Sequence, residues 1–388
     1  MRCRILAPLA LLITLLLAAL STGSAVLLLL SALILVCLLA GFLSVVWASR
    51  TLELTGSMDQ RSVFRGDPVR LSIRLRHDCL LPIAPVMLEL SVAPGFPVRQ
   101  IRLKDKPGRT QTLTLPFHAD HVGALAPGAR AWTVEDLLGF FSVRREVDQS
   151  LFSLLVLPNR FDTDPLTLSP GDPGSDAIAR ATEDLSAPSD VRAYQPGDPI
   201  KKIHWKLSLR KNELLVRKYD EPILQEALIL MDCSRPPSWG NREAEADIRD
   251  ALLETAASVF ADQMSGDIGV HMPLLGDHPV ELDGGMSLPL VLENLARVDF
   301  SETDRFERVL TLESRRLRKV GCVVIISARL NSSIVDVMTR MRRIGPAMRL
   351  YLITFAPDDP GVLPLISRLQ QSDIEVAYVQ PDAPAPDA

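Results

Sequence analysis

A chain of 388 residues is longer than one typical domain, which favours two folded units and a membrane part. Its formal net charge of -5 argues against a nucleic-acid-binding protein, because such proteins usually carry a clear basic excess. Its five cysteines are scattered without a close pair, so neither a disulfide framework nor a zinc site is predicted.

Residues 1–49 are predicted to form two transmembrane helices. Residues 5–20 and 25–48 are apolar runs, and only the short polar segment 21–24 separates them. The second run is long enough for a helix to cross a hydrocarbon core of roughly 30 Å. The first run is short and carries Pro8 near its start, so a signal peptide is the rival interpretation. We prefer the helical hairpin, because the long second run follows so closely.

The charges around these runs predict the orientation. Arg2 and Arg4 precede the first run, Arg50 follows the second, and no charge lies between the two runs. By the positive-inside rule both ends then lie in the cytoplasm. We therefore expect a multi-pass protein of the inner (plasma) membrane, held in the lipid bilayer, with its soluble domains facing the cytoplasm. This orientation depends on both runs spanning the membrane.

Residues 51–157 are predicted to form an antiparallel β-sandwich. Residues 69–75 alternate apolar and polar side chains, and residues 112–117 do so less strictly. Proline-glycine turn signals recur between such stretches, which is typical of short antiparallel strands. Residues 136–141 (Asp-Leu-Leu-Gly-Phe-Phe) are interpreted as a buried aromatic turn that closes the sandwich.

Three polar residues near the middle of this region could suggest a metal site. They are His118, Asp120 and His121. Because no further ligands follow them at a suitable spacing, a polar turn between strands is favoured.

The chain changes character after the sandwich. Residues 158–188 are rich in proline, glycine and aspartate and are predicted to be an irregular linker. Residues 223–379 alternate strands and helices, which predicts a doubly wound, largely parallel α/β sheet. Strands are expected at residues 227–231, 267–272, 320–326, 348–355 and 374–379, and helices at residues 243–260, 288–297, 304–319, 334–344 and 361–370. Residues 380–388 are predicted to be a disordered tail.

The most unusual stretch is residues 189–222, which we call the signature segment. It carries eight basic against five acidic residues, a net charge of +3, together with Tyr194 and Trp205. Residues 196–199 (Pro-Gly-Asp-Pro) predict a turn, since proline lacks the amide donor and glycine supplies unusual dihedral angles.

A short basic helix and a strand are expected after this turn. Ile200, Ile203 and Leu207 recur at three- and four-residue spacing, as on one face of a helix. Residues 213–219 have strand character. The signature segment is therefore predicted to run turn, helix, strand.

The signature segment resembles the sequence signature of the DUF58 family, bacterial proteins of largely unknown biochemistry. The shared pattern is an acidic residue, an arginine, a tyrosine, Pro-Gly-Asp, a basic pair, Ile-His-Trp-Lys, a small residue, an arginine and Glu-Leu-x-Val. The matching residues are Asp190, Arg192, Tyr194, Pro196, Gly197, Asp198, Lys201, Lys202, Ile203, His204, Trp205, Lys206, Ser208, Arg210, Glu213, Leu214 and Val216. Leu209 departs from the pattern, since the family usually has a small residue before the second arginine.

The resemblance implies a partner. DUF58 proteins are commonly associated with MoxR-type AAA+ ATPases and with transglutaminase-like membrane proteins. We therefore expect a membrane-anchored scaffold or adaptor whose signature segment binds a protein, and Trp, Tyr and Arg are the usual hot-spot types of such interfaces. The predicted partner-binding residues are Arg192, Tyr194, Asp198, His204, Trp205, Lys206 and Arg210.

Two other interpretations of the basic run stay open. One, which the balance of acidic and basic residues favours over a docking surface, is a fixed ion-pair network that holds the linker against the α/β domain. The other is a nucleic-acid contact in which Trp205 stacks on a base. The acidic residues that balance the run, and the lack of a wider basic surface, disfavour nucleic acid.

A second hypothesis concerns a metal site after the first strand of the α/β region. That region resembles von Willebrand factor A domains, in which Asp-x-Ser-x-Ser begins a site for a divalent cation such as Mg²⁺. Asp232 and Ser234 match, Pro236 replaces the last serine, and Thr303 could supply the family's threonine. The later aspartate is absent, since Ser327 stands there. The alternatives are a metal-dependent adhesion module and a degenerate site in which Asp232 hydrogen-bonds backbone.

No catalytic motif is found, so no enzyme activity is predicted. His204 is the one histidine of the signature segment. An uncharacterised hydrolase that used His204 with Asp190 is a lesser alternative.

Overall fold

The computed structural model describes residues 2–3, 6–81, 83–91, 98–103, 110–148, 152–166, 190–195, 200, 203–218, 226–236, 242–265, 269–274, 279–300 and 306–381. The chain divides into two compact units, Met1–Val156 and Leu157–Ala388. Each unit has hydrophobic clusters of its own.

The first unit begins with two apolar helices, α1 (Leu6–Thr22) and α2 (Ala25–Thr51), which contact each other. Gly23, at a φ of +66°, makes the tight turn between them, a conformation that favours glycine. Among the described residues, α2 is the one helix long and apolar enough to cross a membrane, and the 17 residues of α1 fall short. The predicted apolar N-terminal helix is confirmed. By length and composition α2 fits a membrane span or a signal sequence, so multi-pass insertion and cytoplasmic orientation stay predictions.

The rest of the first unit consists of β-strands. The strands are β1 (Arg2–Cys3), β2 (Glu53–Met58), β3 (Ser62–Phe64), β4 (Pro68–Arg76), β5 (Val86–Ser91), β6 (Arg99–Leu103), β7 (Gln111–His118), β8 (Gly123–Leu125), β9 (Gly128–Glu135), β10 (Phe141–Glu146) and β11 (Leu154–Leu157). They form sheets with the orders β1-β10-β9-β5-β6, β2-β4-β7 and β3-β11-β8. Strand pairs in the first two sheets are antiparallel. Every second residue of β4 is buried, as the alternation of residues 69–75 predicts.

The five-stranded sheet and the sheet β2-β4-β7 share one hydrophobic cluster. Ile73 of β4 and Leu88 of β5 are fully buried in it, as is the ring of Phe152. Phe152 lies where two strands carry glycine: a Cβ added to Gly56 of β2 or to Gly128 of β9 would overlap its ring. The absence of both side chains therefore makes the space that Phe152 fills.

The C-terminal half of α2 packs against β9 and β10. Val45 is fully buried in a cluster with Phe141. The carboxylate of Asp136, itself buried, accepts the backbone N–H groups of Leu138 at 3.1 Å and Phe141 at 2.6 Å. A Cβ on Gly41 would lie 3.2 Å from Asp136 Oδ2, so helix and turn approach closely.

The second unit is built on a six-stranded sheet. Its strands are β14 (Glu226–Met231), β15 (Gly269–Leu274), β16 (Val280–Asp283), β17 (Val320–Ser327), β18 (Ala347–Ile353) and β19 (Glu375–Val379), and a two-stranded sheet of β12 (Asp190–Ala193) and β13 (Leu215–Lys218) precedes them. The helices are α3 (Trp205–Lys211), α4 (Arg242–Ser265), α5 (Leu288–Ala296), α6 (Phe306–Glu313), α7 (Ser332–Arg342) and α8 (Leu363–Gln371). The order of the large sheet is β16-β15-β14-β17-β18-β19.

All neighbours in this sheet are parallel except β15 and β16. The predicted mixed α/β fold is therefore confirmed. The sequence did not predict the antiparallel edge strand β16, and the single helix expected over residues 304–319 is α6 followed by a 3₁₀ segment, Ser314–Lys319. A tighter 3₁₀ turn is common at the end of an α-helix. The von Willebrand A-like identity of the domain stays a prediction.

We expect the core cysteines of this unit to react slowly with alkylating reagents in the native state. Burial raises the pKa of the Cys322 thiol to about 12, so almost none of the reactive thiolate is present at pH 8. Cys233 is also buried. Timed maleimide labelling with mass spectrometry should show both cysteines protected until denaturant is added, whereas an exposed Ser333→Cys control labels at once. Rapid native labelling of Cys322 would contradict this burial.

Candidate functional site: the signature segment and the strand ends near Asp232

The described part of the signature segment is a pair of strands with a helix in the connection between them. β12 and β13 are antiparallel, and the Tyr194 N–H continues the pairing by donating to the Leu214 carbonyl at 2.8 Å. Helix α3 precedes β13. The predicted order of helix and strand is thus present, and β12 adds a pairing partner that the sequence did not predict.

The side chains of His204 and Ser208 hold α3 in place through hydrogen bonds. The Nδ1 atom of His204 accepts the Leu207 N–H at 3.2 Å, which caps the helix. The His204 N–H donates to the Leu215 carbonyl at 2.8 Å. Ser208 is buried, and its Oγ accepts the Leu215 N–H at 2.9 Å. Asn212, at a φ of 56°, ends the helix in the left-handed conformation that asparagine tolerates.

The helix begins later than predicted. Ile200 and Ile203 were expected on the same helical face as Leu207, but α3 starts at Trp205. Ile203 instead forms an isolated β-bridge with Val216 and is buried. Ile203 is therefore apolar because it packs against a strand, not because it lies on one face of a helix. The expectation of a longer helix is wrong.

The outer face of α3 presents two apolar and two basic side chains. Trp205 and Leu209 are four residues apart and therefore share this face, with exposures of 55% and 81%. Lys206 and Arg210 have the same spacing and are also exposed. A short, well-anchored helix thus holds an apolar pair beside a basic pair. We call these four side chains the α3 surface.

The other predicted partner-binding residues have varied positions. Arg192 on β12 is exposed and Tyr194 is half-buried. His204 is half-buried and serves as the helix cap described above. Asp198 and the turn at residues 196–199 lie outside the described residues. The hydrolase alternative stays a prediction: the Nδ1 of His204 is engaged in the cap, and the side chain of its suggested partner lies outside the described residues.

The second candidate location is the carboxyl end of β14. Asp232 is buried there, and its carboxylate accepts the backbone N–H of Ser234 at 3.0 Å as well as the Ser234 hydroxyl. The Ser327 hydroxyl, at the end of β17, donates to Asp232 Oδ2 at 2.9 Å. Arg329 pairs with the same carboxylate, with Nη2 3.1 Å from Oδ1 and 3.2 Å from Oδ2.

The oxygen atoms around Asp232 do not form a site for a divalent cation beside Arg329. The guanidinium already lies against both oxygens of Asp232, and Pro236 has no side-chain oxygen to offer. Thr303 lies outside the described residues. Sequence reasoning identified Asp232 and Ser234 but missed Arg329, and the available signal was a basic residue two positions after a fully buried strand. The combination of this network and the signature segment into one docking face stays a prediction.

Residues 190–377 match the family described as "Protein of unknown function DUF58". The match supports a DUF58 family protein. The matched range begins inside the signature segment and includes both the α3 surface and the Asp232 network. The DUF58 region therefore contains both candidate locations, while the family's description assigns no biochemical activity.

Other comparisons add little to this. No curated protein matches the chain. Among solved structures, Spo0M, a sporulation control protein from Bacillus subtilis, is 12% identical over 37% of this chain and 58% of its own, with a TM-score of 0.15. Cwp6 from Clostridium difficile is 8% identical over 85% of this chain and 53% of its own, with a TM-score of 0.21. The chain thus spans between about half and three-fifths of these proteins, and similarities this low carry no structural argument.

Proposed function

We propose that this DUF58 protein is a membrane-anchored docking module whose α3 surface binds a partner protein. The observation that carries the proposal is the outward pair of Trp205 and Leu209 on a helix whose inner side is fastened to β13. Tryptophan and arginine are enriched among residues that dominate protein-protein binding energies. A rigid helix loses little entropy on binding, so its exposed side chains are well placed for recognition.

The chemistry of the surface indicates the kind of partner. Lys206 and Arg210 flank the apolar pair, so a complementary surface has an apolar groove beside acidic side chains. The family resemblance supplies the candidate, a MoxR-type AAA+ ATPase. Transglutaminase-like membrane proteins are the second class of partner to which it points.

The membrane anchor in this proposal is the α1–α2 hairpin. Both helices expose many large apolar side chains, including Leu17 at 60% and Leu29 at 68%, which water disfavours and a bilayer accommodates. The hairpin brings the start of α1 and the end of α2 to the same end, and β1 pairs with β10 there. In the sequence Arg2 and Arg4 precede the first apolar run and Arg50 follows the second, so the positive-inside rule favours cytoplasmic soluble units.

Trp205→Ala is expected to weaken binding of the partner by about 2 kcal/mol or more, roughly a thirtyfold loss of affinity. The reason is that truncation removes the largest apolar side chain of the α3 surface without touching the capping contacts. The measurement uses the full-length protein in its own membrane, with a photoreactive residue at position 205 and mass spectrometry of the cross-linked products. A second titration measures the purified ATPase against the wild type and the variant.

Leu312 supplies the matched control, because it is 55% exposed, as Trp205 is, on the separate helix α6. Cross-linking from position 312 and the Leu312→Ala variant should leave ATPase capture and affinity at their wild-type levels. Equal affinity of the Trp205→Ala variant, with an unchanged unfolding midpoint, would reject the docking surface. Capture of an extracytoplasmic protein would reject the orientation but keep the binding class.

A further inference from the structure

The carboxyl ends of β14 and β17 lie where the strand order of the large sheet reverses. From β14 the chain goes to β15 on one side, and from β17 to β18 on the other. In open α/β sheets, ligands bind in the crevice at such a reversal. Asp232 and Ser327 occupy this position here. The Asp232 N–H extends the strand pairing by donating to the Ile326 carbonyl at 2.8 Å.

The Asp232 carboxylate is enclosed by donors. Its side chain is 3% exposed, and it accepts hydrogen bonds from Ser234, Ser327 and Arg329. Burying an isolated carboxylate to this extent costs much free energy of folding. A cation beside it therefore stabilises the folded state. Arg329 is the cation that the described residues place there.

The loop after β17 is folded so that Arg329 reaches back to this carboxylate. The Ser327 hydroxyl accepts the backbone N–H of Arg329 at 3.0 Å and donates to Asp232 at 2.9 Å. Arg329 Nε also lies 3.3 Å from Asp232 Oδ2. One serine therefore positions both the loop backbone and the carboxylate.

We propose that Arg329 is the built-in cation of this strand-end site and makes it independent of metal. The guanidinium supplies the positive charge that a divalent ion would supply, and it covers both carboxylate oxygens. Without it, Asp232, Ser234 and Ser327 would leave a buried carboxylate and two hydroxyls, the oxygen ligands that Mg²⁺ and Mn²⁺ prefer. The Arg329→Ala variant is thus expected to gain a divalent-cation site that the wild type lacks.

The test compares four full-length proteins, purified in detergent and stripped of metal with a chelator. They are the wild type, Arg329→Ala, Asp232→Asn with Arg329→Ala, and Arg343→Ala, an exposed-arginine control. Mn²⁺ binding is followed by electron paramagnetic resonance, and unfolding by tryptophan fluorescence. We expect no Asp232-dependent Mn²⁺ binding by the wild type or the control. Arg329→Ala should unfold roughly 5 °C or more below the wild type and recover part of that loss with millimolar Mn²⁺.

The double variant separates this site from Mn²⁺ held by other acidic residues, because it lacks the buried carboxylate. Wild-type Mn²⁺ binding that exceeds the binding by the double variant would overturn the proposal, as would an Arg329→Ala variant that folds but gains no binding over the double variant. If Arg329→Ala does not fold, Arg329→Gln replaces it as the neutral variant and Arg329→Lys tests the charge. Arg329→Lys should stay free of Asp232-dependent Mn²⁺ binding, and such binding there would also overturn the proposal.

Discussion

Gly128→Ala is expected to destabilise the first unit by about 3 kcal/mol or more, at the upper end of what overpacking a core costs. The added methyl group would overlap the ring of Phe152, which is fully buried and cannot move into solvent. Gly56→Ala is expected to have a similar effect from the opposite sheet. Urea unfolding followed by circular dichroism should show an early transition in both variants.

The mechanism predicts a specific rescue. In a Phe152→Ala background the ring atoms that the added methyl group would overlap are absent, so Gly128→Ala should cost at least 1 kcal/mol less than in the wild type. Gly361→Ala is the matched control, since its nearest contact would be an ordinary 3.5 Å from Asp359. Additive costs of Gly128→Ala and Phe152→Ala would show that the ring is not the obstacle.

Arg342→Met is expected to cost about 3 kcal/mol in the second unit. The guanidinium of this buried arginine donates to the carbonyls of Pro346 at 2.8 Å and Asp373 at 3.0 Å, and it also pairs with the Asp373 carboxylate. Hydrogen bonds to a charged group contribute about 1.5–3 kcal/mol each, and methionine leaves the Pro346 carbonyl without this donor. Asp373 itself has a φ of 59°, so Arg342 also holds a turn of unusual geometry.

The neighbouring residue supplies the control for this prediction. Arg343 is exposed, and Arg343→Met should change stability by no more than about 0.5 kcal/mol. Both variants are compared by urea unfolding of the full-length protein. Equal midpoints for the two variants would mean that the carbonyl contacts of Arg342 contribute little.

The sequence predicted the parts of the fold that repeat. Every second apolar residue in β4 and the unbroken apolar run of β17 identified strands, because periodicity reports which side chains are buried. It did not predict β16, whose four residues are too few to show a period. Nor did it predict β12, since pairing across the signature segment depends on contacts distant in sequence.

Sequence patterns also identified many residues of the candidate site but not the hydrogen bonds that hold them in place. Trp205, Lys206 and Arg210 were predicted as partner-binding residues, whereas Leu209 was noted only as a departure from the family pattern. The cap made by His204 could not be predicted, because a histidine cap has no distinctive spacing. Arg329 was missed for a similar reason. Its position two residues after a buried strand was a signal, but that spacing does not show that a serine hydroxyl turns the loop so that the guanidinium reaches Asp232.

The packing of α2 onto β9 and β10 has a mechanical consequence. The buried side of its C-terminal half repeats along one stripe through Leu38, Val45 and Ala48, so the helix meets the sheets in a fixed rotational register. Because residues 38–48 stay packed on the sheets, inserting one residue between positions 30 and 36 would turn the part of the helix before the insertion by about 100° and shift it by about 1.5 Å relative to the sheets. A rotation or tilt of α2 is thus passed directly to β9 and β10, because the helix packs on these two strands.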